Sequence, residues 1–334
     1  MREFSGFEYL LIDAANAFGN DKMLFEARIQ WARERLEVLE DLAMDAETPA
    51  LFIKAVSAIR KAQAKQPTGH LVAMDAVCSG IQIMSTLTGC IDGARATGLV
   101  DPDVRSDAVS RKDAKAALMT TTYGSKKKPK EIFGEATPEL AAFYQAGQAM
   151  APGAFELLQD LLDSWQPFAL AHEWKLPDGY DARVKVMEQQ ECRIEVDELD
   201  HATFTYLYYE NQGTEKGLSN VANVIHSVDA FILREMIRRC NHGGLNLQAY
   251  NDWIEAALLE RSFSEPEVRT PLIGEHQYFL EQYTRSGMHT AAILPWLNAA
   301  NVHDLPTELL HALKSMLNTM VRYKAFPLIT IHDS

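Results

Sequence analysis

The sequence predicts an α/β fold that is mostly helical (α+β), and three patterns support this prediction. Apolar residues recur every three or four positions between Met23 and Lys65, which is the period of amphipathic helices. A two-residue alternation runs between Leu176 and Asn211, as in β-hairpins. Two short apolar runs, at residues 71–74 and in the last nine residues, each lead to an aspartate. The chain therefore combines helical layers with a few strands.

The composition is that of a globular protein without a general affinity for polyanions. Of the 334 residues, 47% are hydrophobic, which suits one large or two moderate domains. The 46 acidic residues outnumber the 32 lysines and arginines, so any surface that binds nucleic acid must be local or shared with a partner. The four cysteines form no C-x-x-C pair, which argues against a disulfide framework or a zinc knuckle. With no apolar run near the ~20 residues of a membrane span, and no signal peptide, we expect a cytoplasmic protein.

The first part of the chain predicts helices followed by a strand. Thr48-Pro49 opens the second helix, because proline is favoured in a first helical turn. The run from Leu71 to Met74 predicts a strand that delivers the carboxylate of Asp75 to its end. A turn of small residues and another helix follow.

A short helix rich in cations is predicted from Arg111 to Tyr123. Ser110 is its candidate N-cap, and Gly124 its candidate terminator. Beyond it, lysines at positions 126, 127, 128 and 130 flank a predicted loop around Pro129.

The second half of the chain predicts hairpins, then helices, then a strand. Pro177-Asp178-Gly179 is a turn signal at the start of the alternating segment. A helix capped by Ser219 or Asn220 follows, and residues 240–323 are predicted to be mostly helical. The final apolar run predicts a strand that ends at Asp333.

Two strand-end aspartates with a basic helix between them indicate metal-assisted phosphoryl transfer. Mg²⁺ prefers carboxylate and phosphate oxygens, and two such ions can activate a hydroxyl and stabilise a leaving pyrophosphate. On the helix, Arg111, Lys115, Met119 and Tyr123 recur at intervals of four and form one stripe about 18 Å long. The pattern predicts that the cations hold a triphosphate while the phenol lies at the sugar end.

Three motifs in this order carry a resemblance to a known family. "DAVCSGIQ" (75–82), "RKDAKAALMTTTYGS" (111–125) and "IHDS" (331–334) resemble motifs A, B and C of the single-subunit RNA polymerases of bacteriophages and mitochondria. The stretches "GNDKMLFEARI" (19–29), "WKLPDGY" (174–180) and "NVIHSVDA" (223–230) match in the same order. The resemblance implies a right-hand polymerase fold and DNA-templated synthesis of RNA from ribonucleoside triphosphates.

The resemblance also assigns roles to single residues. The two Mg²⁺ ligands would be Asp75 and Asp333, with the backbone carbonyl of Ala76. Triphosphate binding would fall to Arg111, Lys115 and Lys22, with Lys115 also donating a proton to pyrophosphate. Near the sugar and the template, the family pattern places Tyr123 and His226 around the 2′-hydroxyl, and Gly124 and Ser125 beside the template strand.

The same resemblance implies a domain plan and partners. Residues 1–103 would be the first part of the palm, residues 104–225 the fingers, and residues 226–334 the second part of the palm with a helical insert at about 241–322. The hairpin region 176–211 belongs to the fingers, and the hairpin near residues 181–210 is placed like the promoter-reading loop of the family. We see no counterpart of the thumb or of the large N-terminal domain. The family also has a strand after Asp333, so we expect either that the natural chain continues beyond Ser334 or that another chain completes the sheet. We therefore expect the larger subunit of a two-chain phage RNA polymerase, acting in the host cytoplasm with a second subunit and a single-strand-binding or activator protein.

Two other interpretations stay open at this point. A DNA polymerase of the related bacterial repair type has the same Arg, Lys, Tyr-Gly spacing. It has a glutamate where this chain has Gly80, a phenylalanine where it has Met119, and His-Asp-Glu where it has His332-Asp333-Ser334. These three differences favour ribonucleotides. The other interpretation is a non-catalytic subunit that keeps the fold to bind template or a regulator.

Overall fold

A computed structural model describes residues 4–73, 78–100, 111–213, 217–263 and 275–330, without the side chains of residues 111–115, 218–219 and 275–276. The chain divides into two compact units, residues 1–76 and residues 77–334, and each is described by itself. Among the described residues, every helix is too short or too polar to cross a lipid bilayer.

The first unit is helical. Its helices are α1 (Gly6–Ala15), α2 (Phe25–Glu34) and α3 (Pro49–Gln63), with a π-helical turn at Asn16–Asn20 and a 3₁₀ turn at Glu40–Asp45. Ser5 and Glu8 form a capping box at the start of α1. The predicted start of α3 after Thr48 is confirmed, with Pro49 in its first turn. Leu11, Phe52 and Ile59 lie at the centre of a core that all three helices share.

The second unit begins with six helices and two small sheets. The helices are α4 (Ser79–Thr88), α5 (Ile91–Ala96), α6 (Arg111–Thr122), α7 (Lys127–Phe133), α8 (Pro138–Met150) and α9 (Pro152–Asp163). Strands β1 (Ala171–Lys175) and β2 (Asp181–Lys185) form one antiparallel pair, and β3 (Glu188–Val196) and β4 (Ala202–Glu210) form another. The predicted hairpin region is therefore confirmed as two hairpins, the first of which begins before Leu176.

The second unit ends in helices. These are α10 (Leu218–Cys240), α11 (Leu247–Phe263), α12 (Glu275–Ser286) and α13 (Thr307–Val321), with 3₁₀ turns at Ala291–Trp296 and Asn301–Asp304. One core lies among these later helices, around Ile254, Leu310 and Leu317. Another core joins α4, α9 and α10 through Ile81, Ala154 and Ile225. The predicted character, mostly helical with small antiparallel sheets, is confirmed.

The strand predicted at residues 71–74 is wrong in its described part. Residues 71–73 have no regular secondary structure, and Val72 packs against the helical core of the first unit while Leu71 is exposed. Residues 326–330, in the final predicted strand, also have no regular secondary structure. An apolar run indicates burial, but a strand also needs a hydrogen-bonded neighbour. In both segments the described residues form no ladder.

The loop predicted around Pro129 is also wrong, because α7 occupies this segment. Pro129 lies in the first turn of α7, where its missing N–H leaves no helical hydrogen bond unmade. Lys128 pairs with Glu131 at 3.1 Å, one helical turn along. At α10, the predicted cap is wrong as well. Gly217 is the N-cap there, and the carboxamide of Asn220 donates to the carbonyl of Leu161 at 3.2 Å.

Candidate active site

The end of helix α6 places Tyr123 at a defined position. The helix runs through Thr122, and Gly124 then adopts a left-handed conformation with φ of +80°. The amide of Gly124 donates to the carbonyl of Thr121 at 2.9 Å, and the amide of Ser125 to that of Thr120 at 3.0 Å. Glycine adopts this conformation without steric strain, so Gly124 ends the helix directly after Tyr123. The predicted helix and its terminator are confirmed.

The side chain of Tyr123 lies among three helices. Its ring centroid is 4.9 Å from that of His226 on α10, with the two ring planes inclined by 57°. Its phenol is hydrogen-bonded to the side chain of Ser79 at the start of α4. The half-buried Tyr123 side chain therefore contacts residues from two other segments. Ser79 belongs to the segment that resembles motif A, and His226 belongs to α10.

Gly80 allows the close approach of α4 to α6. A Cβ atom at this position would lie 2.7 Å from Oγ1 of Thr122 and 3.8 Å from Cζ of Tyr123. The Thr122 hydroxyl is itself held by a hydrogen bond to the carbonyl of Met119 at 2.7 Å. Any larger residue at position 80 would therefore force the Thr122 side chain to rotate and give up this hydrogen bond, or the last turn of α6 to shift.

His226 is exposed on α10, although its neighbour Ile225 is fully buried. The next residue, Ser227, accepts a hydrogen bond from the indole N–H of Trp174 at 2.9 Å. Core packing on one side and the β1–β2 hairpin on the other thus fix the helix that carries His226. The imidazole is accessible to a ligand, and its face is covered by Tyr123 alone among the described aromatic rings.

The surroundings of Tyr123 raise the pKa of its phenol. Burial is the main cause, and the charges of Asp229 and Cys78 add to it, whereas the hydrogen bond with Ser79 acts in the opposite direction. The phenol is therefore protonated at neutral pH and can donate a hydrogen bond. A ligand hydroxyl placed beside it would meet a neutral donor.

Sequence reasoning assigned no role to Ser79 or Asp229. Ser79 stands inside the quoted "DAVCSGIQ" segment, but its residue type gave no signal of a phenol partner. Asp229 lies three residues after His226 on the same helix, and residues at this spacing share a helix face. That spacing could have pointed to Asp229 in advance.

A buried ion cluster ties the β1–β2 turn to α10. Asp178 has a side chain that is 1% exposed, and it accepts hydrogen bonds from Arg234 at 2.7 and 3.0 Å and from Arg238 at 3.0 Å. Burial opposes ionisation of Asp178, but the two arginines outweigh it and hold the pKa of its carboxyl below its usual value. The guanidinium of Arg234 also lies over the ring of Tyr180, 4.7 Å from its centroid. These contacts fix the helix of His226 about two to three turns further along its length.

Lys22 lies in the first unit, in the turn before α2, and its ammonium group pairs with Asp21. The buried Arg28 organises this turn. It donates to the carbonyl of Met23 at 2.9 Å and to the carboxamide of Asn16 at 2.8 Å. Hydrogen bonds from the Arg28 guanidinium therefore stabilise the loop that carries Lys22.

Gly124 and Ser125 line a cleft of about 710 Å³ in the second unit. Its wall includes Phe155 and Tyr144, and burial raises the pKa of the Tyr144 phenol. The Tyr144 hydroxyl has no hydrogen-bond partner in the described structure. The cleft thus offers mainly apolar surface, and the Tyr144 hydroxyl oxygen near it is buried.

Several predicted site residues lie outside the described residues. Asp75, Ala76 and Asp333 are among them, so the predicted metal ligands have no described geometry. The backbone of α6 includes Arg111 and Lys115, but their side chains are not described. Their positions on the helix agree with the predicted stripe, and their contacts remain a prediction.

One cluster of metal-ligating groups occurs elsewhere among the described residues. Glu195, Asp197 and His201 lie at the tip of the β3–β4 hairpin, with their ligand atoms within 4.8 Å of one another, and all three are exposed. The imidazole of His201 is 2.8 Å from Glu195 and 3.2 Å from Asp197. The three side chains of this cluster are not those that the sequence predicted as metal ligands.

Comparison with known proteins gives a family match over part of the chain. Residues 3–110, about a third of the chain, match the family described as DNA-dependent RNA polymerase. Over these residues the chain is similar to DNA-dependent RNA polymerases. The matched segment includes Lys22, Gly80 and the predicted metal ligand Asp75, and it ends immediately before α6. No curated protein matches the chain.

Proposed function

We propose that this chain is a DNA-directed RNA polymerase, the catalytic subunit of a split phage-type enzyme, which transfers nucleotides from ribonucleoside triphosphates to the 3′-hydroxyl of an RNA on a DNA template. The 3′-oxygen forms a bond to the α-phosphorus, the bond between the α- and β-phosphates breaks, and pyrophosphate leaves. The observation that carries the proposal is the contact of Tyr123 with His226 beside Gly80. It unites residues from three motifs, at the end of the helix that carries Arg111 and Lys115.

Tyr123 and His226 would select the sugar. The neutral phenol and the exposed imidazole each offer a hydrogen-bonding group next to the other, and a 2′-hydroxyl can both donate and accept. Gly80 supports the same role, because it keeps the space beside the Tyr123 ring free of a side chain. A glutamate there, as in the rival DNA polymerases, would have to displace Thr122. This crowding favours the ribonucleotide assignment.

Asp75, Asp333 and the carbonyl of Ala76 would hold two Mg²⁺ ions. All three donors are oxygen atoms, and this donor set fits Mg²⁺ chemistry. When bound, such ions lower the pKa of an attacking hydroxyl and stabilise the charge on a leaving phosphate. Arg111, Lys115 and Lys22 would bind the triphosphate, and Lys115 would protonate the pyrophosphate as it leaves. Gly124 and Ser125, in the cleft wall, would lie beside the template strand.

The domain plan and the partners belong to the same proposal. The palm would comprise residues 1–103 and 226–334, with the insert 241–322, and the fingers residues 104–225. A second subunit would cover part of the first unit, where Met44, Leu51 and Ile53 expose apolar side chains. A single-strand-binding or activator protein would open duplex DNA in the cytoplasm of an infected host.

Primer extension on a single-stranded template tests the proposal. The chain, with any copurifying partner, is given Mg²⁺ and labelled ribo- or deoxyribonucleotides, in parallel with Asp75→Ala and with Asp92→Ala, an exposed aspartate of α5, as the matched control. We expect ribonucleotide incorporation that Asp75→Ala abolishes and Asp92→Ala leaves intact. A preference for deoxyribonucleotides would instead support the rival DNA polymerase. Absence of incorporation with the partner present would support a non-catalytic subunit.

A further inference from the structure

The β3–β4 hairpin forms a two-stranded ribbon of nine paired residues on each strand. Directly opposed residues share a face, so the pairs Gln190–Tyr208, Cys192–Tyr206 and Ile194–Phe204 lie on one side. The opposite side carries Leu207 and Tyr209, and Lys185 lies over the Tyr209 ring at 4.2 Å. We call the first side the aromatic face, which consists of Ile194, Phe204, Tyr206 and Tyr208.

The aromatic face is exposed along its length. Phe204 is 52% exposed, Tyr206 48% and Ile194 46%. The rings of Tyr206 and Tyr208 lie side by side, with their centroids 5.8 Å apart. A row of large apolar side chains at this exposure marks a surface that another molecule covers.

The ribbon is attached to the rest of the second unit at its base. The amide of Val186 donates to the carbonyl of Leu170 at 3.3 Å, and the carboxamide of Asn211 donates to that of Phe168 at 2.7 Å. A pair of strands without further packing is only marginally stable in water. A covering partner would supply the burial that the ribbon lacks.

The charge of the ribbon decides which class of partner fits. From Glu188 to Glu210 the chain carries seven carboxylates and a single arginine, Arg193. Proteins bind single-stranded nucleic acid by combining aromatic platforms with cations for the phosphates, and here the cations are replaced by anions. Two copies of the ribbon placed face to face would also repel each other.

We propose that the aromatic face docks a protein segment that presents apolar side chains together with lysine or arginine. The apolar side chains would cover Phe204, Tyr206 and Ile194, and the cations would pair with carboxylates such as Glu195 and Asp197 at the ribbon tip. The ribbon lies where the family resemblance places a promoter-reading loop. Its composition assigns it a protein partner instead. This inference does not depend on the proposed catalytic role.

Fluorescence anisotropy with a defined probe tests the docking surface. The probe is a labelled twelve-residue peptide in which lysine alternates with isoleucine and tryptophan, and its competitors are the same peptide with glutamate for lysine and a twelve-nucleotide single-stranded DNA. The proteins compared are the full chain, the double variant Phe204→Ser/Tyr206→Ser, and Leu207→Ser. Leu207 is 59% exposed on the opposite face, so it is the matched control.

We expect the lysine peptide to bind the full chain, with about tenfold weaker binding to the double variant, because exposed aromatic residues dominate protein contacts. Leu207→Ser should bind within about twofold of the unchanged chain, since it leaves the aromatic face intact. Equal binding to all three proteins would overturn the proposal, because net charge alone would then explain it.

Two other outcomes would also overturn it. DNA binding that the double variant loses would make the ribbon a nucleic-acid surface. Self-association in sedimentation velocity that the double variant loses would make a second copy the occupant. Circular dichroism of each variant establishes that the altered side chains, which are exposed, leave the fold intact.

Discussion

The imidazole of His226 lies against the ring of Tyr123, with 4.9 Å between the ring centroids. The two residues come from helices α6 and α10, which are separated in the sequence by three helices and two hairpins. Tyr123 is half-buried and fixed by Ser79, whereas His226 is exposed. A phenol hydrogen-bonded to Ser79 and an accessible imidazole thus form a contacting pair.

Replacing Tyr123 by phenylalanine removes the hydroxyl and keeps the ring that contacts His226. We expect the preference for ribonucleotides over deoxyribonucleotides, measured as the ratio of kcat/KM values, to fall by about tenfold, which corresponds to one lost hydrogen bond. Ser79→Ala is the control, since it removes the partner of the phenol but leaves the phenol in place. If Ser79→Ala lowers the ratio as much as Tyr123→Phe, the phenol acts through its position and not as a donor to the sugar.

Replacing His226 by alanine separates a role in binding from a role in folding. Because the side chain is exposed, we expect the free energy of unfolding to change by less than about 0.5 kcal/mol. The ribonucleotide preference should nevertheless fall several-fold. Urea unfolding and primer extension on the same preparation measure both quantities. A large loss of stability with unchanged selectivity would make His226 a structural residue.

Gly80→Ala introduces a Cβ atom 2.7 Å from Oγ1 of Thr122, so the Thr122 side chain must rotate or the last turn of α6 must shift. We expect a loss of about 1–3 kcal/mol in the free energy of unfolding, as for other overpacked sites. Thr122→Ala removes the clashing hydroxyl, and the double variant should recover part of that loss. Gly6→Ala, where no atom lies within 4 Å of the added Cβ, is the matched control and should be close to neutral. Additive losses in the double variant would exclude the contact as the cause.

The helical part of the fold could be predicted from the sequence, since local signals determine it. Thr48-Pro49 and Gly124 marked helix ends that the structure confirms. The described residues 71–73 and 326–330 of the two apolar runs form no strand. Strand formation depends on a distant neighbour that a short apolar run does not specify. The lysines around Pro129 suggested a loop, but proline in the first turn is compatible with a helix.

The sequence motifs predicted which residues belong to the candidate site, but they did not predict the contacts between those residues. Tyr123 and His226 were selected from motifs, and their contact follows from packing of α6, α4 and α10 that no single motif encodes. The closeness of Gly80 to Thr122 likewise needed the structure. The ion cluster of Asp178 was hidden in the sequence, where Asp178 gave only a turn signal and the two arginines lay far along the chain.

The last prediction concerns that ion cluster. In the folded state the pKa of Asp178 lies below its usual value of about 3.9, so the folded protein binds this proton less readily than the unfolded chain. The stabilisation is therefore complete at neutral pH and is lost as the pH falls below about 4, through the folded-state pKa. Asp178→Asn should lower the free energy of unfolding at pH 7 by about 2 kcal/mol, because two partly buried arginines lose their counter-charge.

Urea unfolding of the unchanged chain and of Asp178→Asn at pH 7, 5 and 3.5 measures this linkage. We expect the difference between the two proteins to persist from pH 7 to pH 5 and to shrink at pH 3.5, because the unfolded chain then binds this proton more readily than the folded protein does. Asp181→Asn is the matched control in the same hairpin. Its carboxylate is exposed and pairs with Lys175 at 3.2 Å, so its replacement should change stability by less than about 1 kcal/mol. A difference for Asp178→Asn that does not vary with pH would show that shape and hydrogen bonding, and not charge, hold the turn on α10.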